Sequence, residues 1–361
     1  KQVINATGVW TGKTQQLVHE GGELRVRASK GIHILIPREK FKSVMGLLLR
    51  TEKSVLFVIP WGRHWIVGTT DTDWDLDKLN PSATATDINY VLDHLNAVVD
   101  EPITHDDIEG VYVGLRPLLA SKQATTTKLS REHLVVRPKP GLVLIAGGKW
   151  TTYRIMGKDA VDAAVAGLVE DAKVDPQIPV SITSKVPLLG AAGYRGLWNQ
   201  RVRLAKKLGL EQHAVAHLLN RYGSMASELF ELIAADKTLA QTLPGNPDYL
   251  QAEVIYAVTH EGALHVEDVL ARRTRLNFET RDRGIAAAPV VAKLMGKQLG
   301  WSTAREKKER ENFIAATKAD LEAQKQLTDE AANAARLKVA PIVDESLLQE
   351  PTPDLSQSEL P

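Results

Sequence analysis

The hydrophobic pattern changes period once along the chain, and that change fixes what the chain can become. Up to about residue 145 the apolar residues come in short, β-branched runs: Ile32–Ile36, Met45–Leu49, Val55–Ile59, Trp65–Val67, Val111–Val113, Leu134–Val136 and Leu142–Ile145. Each run is bounded by Gly, Pro or charged residues, which is how strands are punctuated. From about 185 onward the apolar residues recur at helical spacing, over 197–208, 212–221, 225–235, 249–261, 266–273, 285–299 and 303–326. Two helices interrupt the strand-rich part. One spans about 84–99, with Ile88, Val91, Leu92 and Leu95 on one face; the other runs from Tyr153 to about Glu170, where Met156, Ala160, Val161, Ala164 and Leu168 predict a buried stripe. The expected fold is therefore α+β: a mixed-sheet domain over 1–175, an all-helical carboxy-terminal domain over 185–330, and a loosely held tail over 340–361 rich in Pro and acidic residues.

A chain of 361 residues suits two domains. Its net charge of +1 argues against nucleic acid as a partner. The absence of cysteine removes disulfides, thiolate metal sites and cysteine nucleophiles, and makes a reducing cytoplasmic setting the default. No apolar run reaches the roughly 18 residues that a membrane span needs. The chain opens at Lys1 and enters at once into Gln2-Val3-Ile4-Asn5-Ala6, which reads as a buried strand. A natural start rarely opens in mid-strand, so the expectation is a fragment or a processed product.

Three motif matches fail on spacing. His260-Glu261 and His265 stand five residues apart, whereas a zinc-protease helix needs histidines four apart. Gly148-Lys149 ends like a phosphate loop, but Val143 holds the place of its first glycine. Asp71, Asp73 and Asp75 begin like a calcium loop, but Leu76 and Ser82 replace its turn glycine and its bidentate glutamate; an acidic turn is the better reading. No metal site is expected. Thr303 with Glu306 reads as a capping box for the helix that follows.

Four motifs survive. Val3-Ile4-Asn5-Ala6-Thr7-Gly8 is a strand ending in small residues, which lets backbone approach a bound dinucleotide. Gly147-Gly148-Lys149-Trp150-Thr151-Thr152 joins a buried strand to a helix that Thr151 or Thr152 would cap. A helix start beside a tight turn offers free N–H groups and the positive end of the helix dipole. Such a site suits an anion or a flavin ring that gains charge on reduction. Arg116, Arg131 and Lys149 are cations at strand or loop ends, of the kind that hold a phosphate or carboxylate. The pair Ser29-Lys30-Gly31-Ile32-His33 and Gly68-Thr69-Thr70-Asp71 sets polar side chains beside buried strands; His33 reads equally as a substrate contact or as a hydrogen-bonded structural histidine.

Taken in order, Asn-Ala-Thr-Gly-x-Trp, Ser-Lys-Gly-x-His, Val-Ile-Pro-Trp, Gly-Thr-Thr-Asp-Thr-Asp, Gly-Leu-Arg-Pro-Leu-Leu, Ser-Arg-Glu-His and Gly-Gly-Lys-x-Thr-Thr-Tyr-Arg resemble the FAD-dependent glycerol-3-phosphate dehydrogenases. The resemblance is dense over 1–170. It is looser over the helical part, where Thr259-His260-Glu261-Gly262-Ala263 and Asp268–Thr274 carry it. It implies a glycine-oxidase-type fold and oxidation of sn-glycerol 3-phosphate to dihydroxyacetone phosphate. It also implies FAD as cofactor, a membrane quinone as electron acceptor and a peripheral place on the cytoplasmic membrane face, and it allows a homodimer. On this resemblance Arg116, Arg131 and Lys149 hold or polarise substrate, and Thr7, Gly8, Gly148, Lys149, Trp150 and Thr151 lie near FAD. The family's amino-terminal Gly-x-Gly-x-x-Gly turn does not occur here, so these residues alone are expected to bind little FAD and to be inactive. Trp150 stands where the family pattern suggests Leu. The resemblance leaves the proton acceptor unassigned. Two alternatives stay open: an amino-acid or hydroxy-acid oxidase of the same fold, and a non-catalytic interaction module.

Overall fold

The structure, a computed structural model, describes residues 1–18, 25–52, 55–119, 132–171, 177–340 and 342. Strand β1 (Val3–Asn5) leads into helix α1 (Thr11–Gln16). Strands β2 (Val26–Pro37), β3 (Leu47–Arg50), β4 (Val55–Trp61), β5 (His64–Gly68) and β6 (Thr72–Trp74) follow, then α2 (Ala85–Asn96) and β7 (Gly110–Leu119). Strands β8 (His133–Lys139) and β9 (Leu142–Gly147) precede α3 (Tyr153–Glu170).

Among the described residues β2 to β7 form one antiparallel sheet, in the order β3-β4-β5-β2-β6 with β7 also paired to β2. A second sheet is mixed: β1 runs parallel to β9, and β8 runs antiparallel to it. Pleating sends alternate residues of β2 to opposite faces. Ile32, Ile34 and Ile36 join Leu56, Val58, Trp65 and Val67 in a core closed by Ile88, Val91, Leu92 and Leu95 of α2. Each such side chain, once buried, stabilises the fold by roughly 1.5–3 kcal/mol. Helix α2 starts at a capping box: the Thr84 hydroxyl accepts from the Asp87 N–H, and the Asp87 carboxylate accepts from the Thr84 N–H at 3.0 Å. Asp87 also receives Lys30 Nζ at 2.6 Å, and the same fully buried ammonium pairs with Asp329.

The remaining elements are α4 (Tyr194–Asn199), α5 (Arg201–Leu208), α6 (Gln212–Tyr222), α7 (Ala226–Ala235), β10 (Thr242–Leu243), β11 (Asn246–Leu250), α8 (Gln251–Thr259), α9 (Leu276–Glu279), α10 (Ala288–Leu299), α11 (Thr303–Ala323) and α12 (Asp329–Arg336). Asp268–Arg273 forms a π-helical turn. These helices enclose two apolar clusters, one around Leu218, Leu219 and Leu229, the other around Val266, Leu270 and Val291.

The sheet-then-helices architecture matches the sequence expectation. Several details differ. Val3 and Ile4 are exposed, so β1 is not the buried strand expected; among the described residues it pairs with β9 alone. Residues 72–74, read as an acidic turn, form β6 and pair with Ala28–Lys30. Arg27 holds Asp73 there, and Ser29 donates to Asp71. Val161 is exposed, and Gly167 takes a place in the buried stripe of α3. Ser302, not Thr303, caps α11, its hydroxyl accepting from the Arg305 N–H. The β10–β11 hairpin and α12 escaped the periodicity, the first because its strands are short, the second because its buried face is alanine. Apart from residues 340 and 342, the expected tail lies outside the described residues.

Candidate active site

Two groups of residues come together at different edges of the strand-rich part. The first lies at the carboxyl ends of the parallel pair β1 and β9, with Asn5 in register with Leu144. The turn Ala6-Thr7-Gly8 therefore emerges beside Gly147-Gly148-Lys149. Carboxyl ends of adjacent parallel strands are where open α/β sheets bind ligands. The Thr7 hydroxyl donates to Asn5 Oδ1 at 2.6 Å, and Asn5 Nδ2 donates to Thr14 Oγ1 at 2.7 Å. This small network fixes the turn, and Gly8 leaves it at a φ of 57°. Gly147 and Gly148 have φ of 79° and 84°, which a residue with a Cβ adopts only under strain. A Cβ on Gly148 would also sit 2.7 Å from Met156 Cε.

The helix beyond this turn starts differently from the sequence expectation. Neither Thr151 nor Thr152 caps it. The Thr152 hydroxyl donates back to the Lys149 carbonyl at 3.0 Å, and among the described residues no side chain caps the first turn of α3. A 3-10 turn over Trp150–Thr152 runs straight into α3, with the Tyr153 N–H donating to the Trp150 carbonyl, so the positive end of the combined helix lies at the start of that turn. Trp150 is 85% exposed and stacks on Tyr153, with ring centroids 5.8 Å apart. Lys149 is exposed, and its ammonium has no hydrogen-bond or ion-pair partner among the described residues.

The second group lies on the face of the large sheet turned away from α2. Cross-strand register places Arg116 opposite Ser29, Gly114 opposite Gly31, Tyr112 opposite His33, and Gly68 opposite His33 on the other side. The Arg116 guanidinium lies across Gly31 so closely that any Cβ there would collide with it. It donates to Thr69 Oγ1 at 2.8 Å and to the Thr70 carbonyl at 3.2 Å. The His33 imidazole lies across Gly68 in the same manner. It stacks on Tyr112, with centroids 4.9 Å apart and planes 8° from parallel, and Tyr112 meets Phe278 of α9. His33 Nδ1 is buried and has no hydrogen-bond partner among the described residues. Burial, aided by the nearby Arg116 charge, brings its pKa down to about 4. The imidazole is neutral at ordinary pH, with a nitrogen left open.

Of the cations picked from sequence, Arg116 is in place on this face, Lys149 stands at the glycine turn, and Arg131 lies outside the described residues. The glycines at 31, 68 and 114 carried no weight in the sequence. Their signal was present, because glycine inside a strand marks a close approach of another group. Sequence does not show that Arg116 crosses Gly31 and His33 crosses Gly68, while Gly114 faces open space.

The sequence model of the FAD dependent oxidoreductase family matches residues 1–163, and that of the C-terminal domain of alpha-glycerophosphate oxidase matches 181–306. A protein named glycerol-3-phosphate dehydrogenase 2 from Mycobacterium bovis is 50% identical over 334 residues, covering 92% of this chain and 56% of that protein. The chain belongs to the family of FAD-dependent oxidoreductases that includes the glycerol-3-phosphate dehydrogenases. The mitochondrial glycerol-3-phosphate dehydrogenase of Mus musculus is 33% identical over 322 residues, covering 86% of this chain and 43% of that protein. The structure of the Bacillus halodurans glycerol-3-phosphate dehydrogenase, solved with FAD, aligns with a TM-score of 0.73 at 25% identity, over 88% of this chain and 62% of that one. The chain spans about half the length of the curated relatives it matches. Among the described residues no helix is long and apolar enough to cross a membrane, and no cluster of His, Asp and Glu is arranged to hold a metal.

The residues present fit a flavin. Two left-handed glycines bring backbone to the surface at the end of a parallel strand, and an uncapped helix start stands beside them. That combination offers backbone N–H donors to a ring carbonyl.

Proposed function

We propose that the protein carrying these residues oxidises glycerol 3-phosphate to dihydroxyacetone phosphate with FAD, and that a membrane quinone takes the electrons. The observation that carries the reading is the juxtaposition of Arg116 with a neutral, open His33 on one glycine-lined sheet face. A phosphate ester needs a fixed cation, and Arg116 supplies one with its guanidinium held flat over Gly31. An alcohol oxidation needs a group to receive the hydroxyl proton, and the His33 ring is neutral with Nδ1 unpartnered among the described residues. Tyr112 keeps the imidazole in plane by stacking, so the accepting nitrogen holds its direction. Lys149, at the glycine turn, is the candidate to stabilise negative charge on the substrate oxygen, and Arg131 is a second candidate for the phosphate. Thr7, Gly8, Gly148, Lys149, Trp150 and Thr151 are the residues that would hold the cofactor. FAD, when bound, supplies the hydride acceptor. The quinone, a peripheral place on the inner membrane face and a homodimer belong to the same reading and rest on the family resemblance.

The test is turnover by the FAD-loaded protein with a dye acceptor, offering glycerol 3-phosphate, glycine, sarcosine and lactate in parallel. Glycerol 3-phosphate alone should reduce the dye. Turnover of glycine, sarcosine or lactate with none of glycerol 3-phosphate would overturn the substrate assignment.

A further inference from the structure

The helical part meets the large sheet around a cavity of about 560 Å³, closed on one side by the β4–β5 hairpin and on the other by α6, β11 and α9. It lies on the same sheet face as His33, farther along β5. His64 is four residues from Gly68, about 13 Å at strand rise. The cavity holds two guanidiniums whose donors are largely unused. Arg221 is largely buried; its Nε donates to Tyr222 Oη at 3.2 Å and forms a long ion pair with Glu253 Oε1 at 3.8 Å, and its two terminal amino groups have no hydrogen-bond partner among the described residues. Arg275 stacks over Trp61 at 4.5 Å, and its guanidinium has no hydrogen-bond partner among the described residues. Burial raises the Tyr249 phenol, and Arg221 and Arg275 both act against that rise, so the two cations stand about one hydroxyl.

The acids here are spent, with one exception. Glu279 accepts from Trp61 Nε1 at 3.2 Å and from Tyr249 Oη at 3.0 Å. Glu253 accepts from the Leu250 N–H at 2.8 Å and from Tyr222 Oη at 3.0 Å, and meets His217 Nε2 at 3.1 Å. The exception is Glu261, whose Oε2 is buried with no hydrogen-bond partner among the described residues. Arg273 fixes the loop that carries it, donating twice to the Glu261 carbonyl at 3.1 and 2.6 Å. Burial pushes the Glu261 carboxyl up, toward its neutral form. A buried polar atom with no partner is costly, and so is a desolvated guanidinium with idle donors. One occupant relieves both: an oxyanion for the two guanidiniums and a hydroxyl for Glu261.

We infer that this cavity is a second binding site, distinct from the Arg116–His33 group on the same sheet face, that takes a small hydroxylated oxyanion, with Arg221 and Arg275 holding the anion and Glu261 the hydroxyl. This also gives a role to the Thr259–Ala263 and Asp268–Thr274 motifs, which the redox chemistry leaves unused. The inference stands whatever the substrate of the Arg116 face is. Arg275 also acts on Tyr112, the ring stacked on His33, so the cavity is one side chain away from the proposed proton acceptor.

The test is calorimetric titration of the full chain with glycerol 2-phosphate, with lactate and with glycerol. Arms for the phosphate and the carboxylate tell the two anion types apart. At least one anion should bind, and glycerol should not. R221Q and R275Q should each weaken that binding by about ten- to hundredfold. R116Q should leave it unchanged. Should R221Q fail to fold, R275Q, which gives up only the stack on Trp61, carries the test. No binding of either anion, binding lost in R116Q, or binding intact in R275Q would overturn the site.

Discussion

On one face of the large sheet, β2 sends Ile32, Ile34 and Ile36 into a core that α2 closes; on the other, the same strand presents Ser29, Gly31 and His33. The packed face is built by volume. Its side chains are large and apolar, and the one charge among them, Lys30, is matched by Asp87 and Asp329. The open face is built by removing volume. Its glycines exist so that Arg116 and His33 can lie flat against the backbone. A change on the packed face should act on stability, and a change on the open face should act on chemistry.

The sharpest test of that division is Lys30→Met. It leaves Asp87 without its buried counter-ion and should lower unfolding free energy by about 3–5 kcal/mol in urea melts. Under the proposed function, the KM for glycerol 3-phosphate should stay near wild type. A large KM change with little loss of stability would erase the distinction between the faces. Arg116→Gln is the mirror experiment. It should raise KM about ten- to hundredfold, while unfolding shifts by no more than about 1 kcal/mol. Gly68→Ala crosses the divide. Its methyl displaces the His33 ring and also meets the Ile32 carbonyl oxygen at 2.7 Å, so it should cost about 1–3 kcal/mol and lower kcat as well.

The smallest effect is on pH. His33 has a folded-state pKa of about 4 against an ordinary 6.5, so folding favours its neutral form. Its contribution is complete above pH 6.5 and is lost as pH falls toward 4. His33→Gln should flatten the stability profile in that window. In the wild type, the acid limb of kcat/KM should lie near pH 4 and not near 6.5. An acid limb at 6.5 would mean that another group receives the proton.

The packed face was legible in the sequence, because Ile32–Ile36 and Val55–Ile59 are apolar runs that only a buried strand explains. The open face was legible only in part. Arg116 stood out before Pro117, and the glycine turn at 147–148 stood out after its strand. The extension of β2 back to Val26 did not, because Ser29 and Lys30 look like loop residues until β6 and β7 pair with them. The same holds for His33, whose partner ring Tyr112 is 79 positions away and becomes a neighbour only through the β2–β7 register. Polar pairs made by register have no period to read.

The Lys30–Asp329 bridge spans 299 positions of sequence. At synthesis rates of about 5–20 residues per second, Lys30 emerges roughly 15–60 s before its partner exists. Through that interval the sheet holds a buried ammonium matched by Asp87 alone, and α12, made 299 positions later, completes the pairing of β2. A nascent chain stalled before residue 329 would therefore be open to proteases at β2, although every strand of the sheet had already been made.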